Sequence, residues 1–305
     1  MAIVEMHDMR KQYGPVQALD GVSLSVEEGT VFGFLGPNGA GKSTLIKILT
    51  GLLTPSSGSY IIAGKSGIQS KQSFGYLAQQ PAYYGWMTAK ELLEISGDLY
   101  GMNRQERDER IVQLLELCGI ADAADRRIGG YSGGMRQRLG IAQAILHRPS
   151  VVFLDEPVSA LDPVGRKEVL SLIATLRKET TIFMSSHILD DVQRVCDEVA
   201  IINKGSIRIH EKTKTLLRLH AKPIMHMEFT SMEEANACVK ELSDSGLQAS
   251  VKAFTVSLSS DLYAEHANQI LSMISQHNWR LVNLHHQEAT LEDVFMHHIQ
   301  ETTNA

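Results

Sequence analysis

One stretch constrains this chain more than any other. It runs Val31-Phe32-Gly33-Phe34-Leu35, then Gly36-Pro37-Asn38-Gly39-Ala40-Gly41-Lys42-Ser43. The first five residues form a short apolar run that reads as a buried strand. The next eight fit G-x-x-x-x-G-K-[ST] at every defined position, and residues 42–50 continue with helical periodicity until Gly51 stops them. A strand that turns through a glycine loop into a helix belongs to a parallel α/β sheet. Its loop N–H groups and helix N-terminus wrap a phosphate chain. In such a loop the Lys42 ammonium reaches the β- and γ-phosphates, and the Ser43 hydroxyl suits Mg²⁺.

The rest of the chain repeats the α/β signature. Residues 74–77, 151–154 and 181–184 read as further strands, with a helix over 163–178 started by Pro163 after Asp162. Residues 199–202 and 207–209, joined by Asn203-Lys204-Gly205, read as a closing hairpin. Between the strands at 74–77 and 151–154 the pattern is almost wholly helical, over 89–100, 105–118 and 133–146. That block looks like a helical insertion, about 88–146, into the sheet domain. Past residue 220 the expected order is strand 224–229, helix 233–242, strands 248–251 and 254–258, helix 263–274 and strand 281–286. This βαββαβ order is ferredoxin-like, with a last helix over 291–299.

Two further motifs accompany the phosphate loop. Val151-Val152-Phe153-Leu154-Asp155-Glu156 delivers two consecutive carboxylates at the end of a buried strand. Asp155 there can hold Mg²⁺, directly or through water. Glu156 can act as the base that polarises a water, which is a poor nucleophile at neutral pH. Tyr131-Ser132-Gly133-Gly134-Met135 places a hydroxyl and unobstructed N–H groups at a second helix N-terminus, another anion site far along the chain.

In this order the three motifs resemble the ATPase subunit of an ATP-binding cassette (ABC) transporter, over roughly residues 1–215. The fold this implies is α/β, a P-loop NTPase cassette at 1–220 with its helical subdomain inserted. A small α+β accessory domain follows at 221–305. The resemblance implies ATP hydrolysis coupled to transport, with ATP and Mg²⁺ as cofactors. Glu156, His187, Gln79 and Lys42 are the implied catalytic set. Ser43, Gln79 and Asp155 would serve the metal.

The nucleotide contacts it implies are Tyr13 on adenine, Gly36, Pro37, Asn38, Gly39, Ala40, Gly41, Lys42, Ser43 and Thr44. Ser132, Gly133 and Gly134 would close on the nucleotide held by an opposite subunit, beside the crossing loop that ends at Asp162. One phosphate loop and one such signature per chain make two complete sites a matter of two chains, a second copy or a related ATPase. Tyr131 and Met135 replace the commonest leucine and glutamine of the signature. That variant, like Thr290-Leu291-Glu292-Asp293-Val294-Phe295 near the C-terminus, resembles drug- and antibiotic-export ATPases. A separate transmembrane permease is the implied partner, contacted near residues 79–86. The alternatives are a soluble non-transport ABC ATPase and an ATP-switched regulatory module.

Composition narrows the choice. Of 305 residues, 43% are apolar and 21% charged, the balance of an ordinary globular protein. A net charge of −6 argues against a dedicated nucleic-acid binder. No apolar run approaches the roughly 18–20 residues needed to span a bilayer, and the start lacks the regions of a signal peptide. The expected place is cytoplasmic, peripherally attached to the inner face of the cell membrane. Cys118, Cys196 and Cys238 lie far apart and read as buried small hydrophobes. The adjacent pairs His285-His286 and His297-His298 lack a convincing ligand arrangement for one metal ion.

Overall fold

The structure is a computed structural model that describes residues 1–220, 223–287, 290–292 and 294. The chain divides into two compact units, Met1–Thr213 and Lys214–Ala305. In the first unit β1 (Ala2–Tyr13) and β2 (Val16–Glu27) lead into β3 (Val31–Leu35), α1 (Lys42–Leu49), β4 (Ser57–Ile62) and β5 (Phe74–Leu77). Three helices follow: α2 (Ala89–Leu99), α3 (Arg104–Leu117) and α4 (Gly133–Ile145). The chain then returns through β6 (Val151–Asp155), α5 (Pro163–Leu176), β7 (Thr181–Ser186), α6 (Leu189–Val195), β8 (Glu198–Asn203) and β9 (Ser206–Lys212).

Six of these strands form one sheet in the order β5-β6-β7-β3-β8-β9. Its first five strands run parallel and β9 closes it antiparallel to β8. Their apolar runs are buried on both faces, as a parallel sheet requires. Phe183 lies at the centre, its ring 5.1 Å from Phe32 and 5.5 Å from both Phe34 and Phe153. The hairpin turn has Lys204 and Gly205 both at positive φ, the geometry of a tight two-residue connection. Helix α4 packs so closely on β5 that a Cβ at Gly75 would collide with the Ala144 carbonyl.

The insertion helices start on side-chain caps. Thr88 and Glu91 form a reciprocal capping box on α2, Asn103 caps α3 and Ser132 caps α4. A second, three-stranded antiparallel sheet, β2-β1-β4, is absent from the sequence reading above. Its pairing with β2 slips register at four places, and Asp8 adopts a positive φ of 45°. These bulges break the period-two alternation by which a strand is recognised. Apolar residues of this sheet, of α1 and of the parallel sheet fill one common core.

The second unit contains α7 (Thr213–His220, its first residue on the other side of the division), β10 (Ile224–Phe229), α8 (Met232–Asp244), β11 (Ala249–Lys252), β12 (Thr255–Ser259), α9 (Ser260–Gln276) and β13 (Leu281–Gln287). The sheet order is β11-β12-β10-β13, and every neighbouring pair is antiparallel. Met227, Phe229, Val256 and Leu258 bury against Cys238, Leu242, Ile270 and Ile274 of the helices. Phe254, expected in a strand, lies in the turn instead. Ala253 before it has a φ of 53°, which closes the hairpin tightly. Most of the helix expected over 291–299 lies outside the described residues. Of it, Leu291, Glu292 and Val294 are helical, with Leu291 and Val294 buried.

All three cysteines are free and buried, and burial pushes the Cys118 and Cys238 thiols up to about 12. Among the described residues, no helix is long and apolar enough to cross a membrane.

Candidate functional site

Parallel register brings the motifs together. Leu35 is level with Ser186, Asp155 with Ser185, and Leu77 with Leu154. The C-terminal ends of β3, β6, β7 and β5 therefore form one row. The segments that leave them carry Gly36, Glu156, His187 and Gln79 respectively. A row of parallel strand ends is where open α/β sheets place their ligands.

At the centre of the row lies a buried charge cluster. The Lys42 ammonium is 3.3 Å from Glu156 Oε1, both side chains being about 5% exposed. Lys42 Nζ also donates to the Gly36 carbonyl at 2.7 Å and to the Pro37 carbonyl at 3.2 Å, which draws the loop around its own cation. The other carboxylate oxygen, Glu156 Oε2, meets His187 Nδ1 at 2.7 Å. Both oxygens of Glu156 are thus engaged, one by each neighbouring strand end.

Glu156 has a φ of 51°, a left-handed conformation that costs a bulky residue free energy and concentrates at functional sites. Ser185 holds the turn. Its hydroxyl accepts from the Glu156 N–H at 2.9 Å and donates to Asp155 Oδ1 at 2.7 Å. Sequence reading passed over Ser185, although it stands two residues before His187. Asp155 also accepts from the Ser43 hydroxyl at 3.1 Å and is buried. Burial, helped by the Asp155 charge, pushes the nearby Tyr76 hydroxyl up to about 12.

The residues present fit a magnesium nucleotide. A hydroxyl oxygen and a carboxylate oxygen 3.1 Å apart are hard donors at about the spacing of two adjacent ligands of an octahedral Mg²⁺. Pro37, Asn38 and Gly39 are exposed, while Gly36, Ala40 and Gly41 are buried beneath them. At Gly41 the φ of 112° and the closeness of the Ala18 carbonyl exclude any side chain. The loop thus presents backbone rather than side chains. Thr44, half-buried, follows Ser43 in the first turn of α1.

The remaining expected residues stand around this cluster rather than in it. Gln79, Gly133 and Glu156 line one cleft together with Pro157, Ser159 and Leu161. Ser132 and Gly133 are exposed, and Ser132 Oγ accepts from the Met135 N–H at 3.2 Å. Asp162 Oδ1 accepts from the Gly165 N–H at 2.9 Å, so one of its oxygens caps α5. Tyr13 is 45% exposed at the end of β1, with the Lys11 ammonium 5.1 Å from its ring centre. Among the described residues, no hydrogen bond or ion pair joins Tyr13, Gln79 or Ser132 to the Lys42 cluster.

A phosphate loop, a buried Asp-Glu strand end and a histidine on the adjoining strand end define a nucleotide-hydrolysing P-loop protein. Residues 19–159 match the family model described as ABC transporter. The uncharacterized ABC transporter ATP-binding protein YxlF of Bacillus subtilis is 46% identical over 205 residues, covering 67% of this chain and 69% of that protein. The bacitracin transport ATP-binding protein BcrA of Bacillus licheniformis is 39% identical over 67% of this chain and 68% of its own length. The linearmycin resistance ATP-binding protein LnrL of Bacillus subtilis is 31% identical over 96% of this chain and 97% of its own.

Among solved structures, an ATP-binding subunit of an ABC transporter superposes with a TM-score of 0.64 at 29% identity, covering 71% of this chain and 92% of that one. The ADP conformation of another such cassette has a TM-score of 0.64 at 26% identity, covering 72% of this chain and 96% of its own. The chain belongs to the ATP-binding subunits of ABC transporters and is an ATPase of that family.

Proposed function

We propose that this ATPase closes as a dimer around two Mg-ATP molecules and drives a separate transmembrane permease in export. One observation carries the hydrolytic part: the buried Glu156 carboxylate lies between the Lys42 ammonium and the His187 ring. A base for water has to sit beside the cation that receives the γ-phosphate, and parallel register of β3, β6 and β7 puts it there.

In this reading the loop N–H groups of residues 36–44 bind the phosphates and Lys42 neutralises their charge. Phosphate oxygens compete for the Lys42 ammonium and release Glu156 Oε1 to accept a proton from water. His187 holds the other carboxylate oxygen in place and faces the γ-phosphate. Ser43, Asp155 and Gln79 would hold Mg²⁺, which when bound bridges phosphate oxygens and draws off developing negative charge. Tyr13, an exposed ring, stacks on adenine. Ser132, Gly133 and Gly134 are exposed at a helix N-terminus and so are free to meet the nucleotide of an opposite chain, beside the loop that ends at Asp162.

Export is supported by the similarity to LnrL along nearly the whole chain and by the similarity to BcrA. The exposed pair Tyr84 and Trp86, with ring centres 5.8 Å apart beside Gln79, supports contact with a membrane partner at this loop. Such a partner would hold the chain at the inner face of the cell membrane. The unit beyond Thr213 is an accessory domain in this reading.

Glu156→Gln is the direct test. Steady-state hydrolysis is expected to fall roughly 10²- to 10⁴-fold with ATP binding retained, as for loss of a general base. Wild-type turnover in the variant would overturn the assignment. Export is tested by isolating the tagged chain from solubilised membranes. A multispan protein in stoichiometric amount is expected, and recovery with soluble partners alone would refute it.

A further inference from the structure

Helix α6 carries His187 at its entrance, and it is poorly equipped to hold that histidine still. It has seven residues, about two turns, and Ile188 gives it no side-chain cap. A helix this short has no stability of its own and takes its position from tertiary contacts. Two such contacts stand out. Val192 packs on β3 so closely that a Cβ at Gly33 would overlap it. Asp191, only 1% exposed, accepts from Arg166 Nε at 2.7 Å.

Arg166 lies one turn into α5, its N–H bonded to the Asp162 carbonyl at 2.9 Å. The Arg166–Asp191 bond therefore ties two segments together. One is the segment that leaves Glu156 and passes through Ser159 to Asp162. The other is the segment that leaves β7 through His187. Glu156 and His187 touch each other at the root of these two segments.

Stability alone does not account for this pair. Asp191 Oδ2 is buried and accepts no hydrogen bond, and burial pushes the carboxyl of Asp191 above its ordinary range against the pull of Arg166. A buried, half-satisfied ion pair is usually no more stabilising than apolar residues of the same volume. An unsatisfied buried oxygen in an otherwise well-bonded structure calls for another reason.

We propose that Arg166 and Asp191 are positioning residues, which fix α6 against α5 and thereby hold His187 on Glu156. This rests on the roles proposed above for Glu156 and His187. Neither Arg166 nor Asp191 touches the phosphate loop or the cluster around Lys42 in the described contacts. Their effect on turnover passes through His187.

The test uses the full-length chain and four measurements: ATP hydrolysis, KM for ATP, nucleotide binding and thermal melting. Asp191→Asn keeps the shape of the side chain and removes its charge. The pair Arg166→Met with Asp191→Leu removes both charges at similar volume, and it reports on the contact even if the single variant folds poorly. Each is expected to lower kcat roughly ten- to hundredfold, the scale of a small misplacement, with KM for ATP within about twofold of wild type. Added to His187→Ala, Asp191→Asn is expected to cause no further loss, because the group it positions is already gone.

Unchanged kcat in both variants overturns the proposal. So does a loss of equal size in the His187→Ala background, which would mean that Asp191 acts elsewhere. Failure of the parent reading looks different. There Glu156→Gln and His187→Ala themselves retain wild-type turnover.

Discussion

The Lys42–Glu156 contact predicts an asymmetry between two substitutions that otherwise look equivalent. Lys42→Met leaves the Glu156 carboxylate buried, with its 3.3 Å cation gone and only His187 Nδ1 at 2.7 Å remaining. It also leaves the Gly36 and Pro37 carbonyls without the donor they share. Removing one partner of a buried ion pair costs about 3–5 kcal/mol. The His187 ring, 40% exposed, remains to share the charge, which places the cost near the lower end.

Glu156→Gln is milder. Lys42 keeps both loop carbonyls, and the amide can still bond His187, so one charge-assisted contact is lost, worth about 1.5–3 kcal/mol at most. For a folding unit of this size each kcal/mol moves Tm by about 2–4 °C. Lys42→Met should then lower the melting temperature of the nucleotide-free protein by about 6–12 °C. Glu156→Gln should lower it by about half as much or less. Calorimetry without nucleotide reads both directly. Because the pair is buried, the difference should persist in high salt. An equal or larger drop for Glu156→Gln would refute the claim that the loop carbonyls share the Lys42 charge.

Two other perturbations follow from the packing around the parallel sheet. Gly75→Ala forces a methyl group into the backbone of α4 at Ala144. Overpacking of this kind costs about 2 kcal/mol, so Tm should fall by about 4–8 °C; an unchanged Tm would show that α4 can move off β5. His147 contributes a pH-dependent term. Burial holds its pKa below the ordinary value of 6.5, against the pull of the Phe74 carbonyl at 3.1 Å, and its ring stacks on Tyr100 at 3.6 Å. The unfolded chain therefore binds the proton more readily than the folded one, and stability present above pH 6.5 is lost as pH falls below it toward the folded pKa. His147→Asn should flatten the loss of Tm between pH 7.5 and 5.5 measured relative to wild type, and an identical slope in both proteins would sink this reading.

Much of the first unit is legible in the chain because the relevant physics is local. The run Val31-Phe32-Gly33-Phe34-Leu35, the glycine loop and the helix from Lys42 need only nearest neighbours to declare themselves. The same holds for the capped starts of α2, α4 and α5 and for the Lys204-Gly205 turn. Residue types point to chemistry in the same local way: a hydroxyl, a lysine and two carboxylates at strand ends.

What lies beyond the reach of local pattern depends on register and packing. Strands β1, β2 and β4 escaped notice because bulges interrupt the alternation that marks a strand, and only pairing across the sheet restores it. Lys42 and Glu156 are 3.3 Å apart because β3, β7 and β6 lie side by side in parallel register, an arrangement of three strands drawn from distant parts of the chain. The Ser185 bridge between Asp155 and the Glu156 N–H has the same origin. Arg166 and Asp191 carry no motif at all, and each looks like an ordinary surface charge on its helix. Their contact exists because α5 and α6 pack together, and burial there gives a single hydrogen bond consequences that neither residue has alone. Local sequence determined which groups are available, and the parallel sheet decided which of them meet.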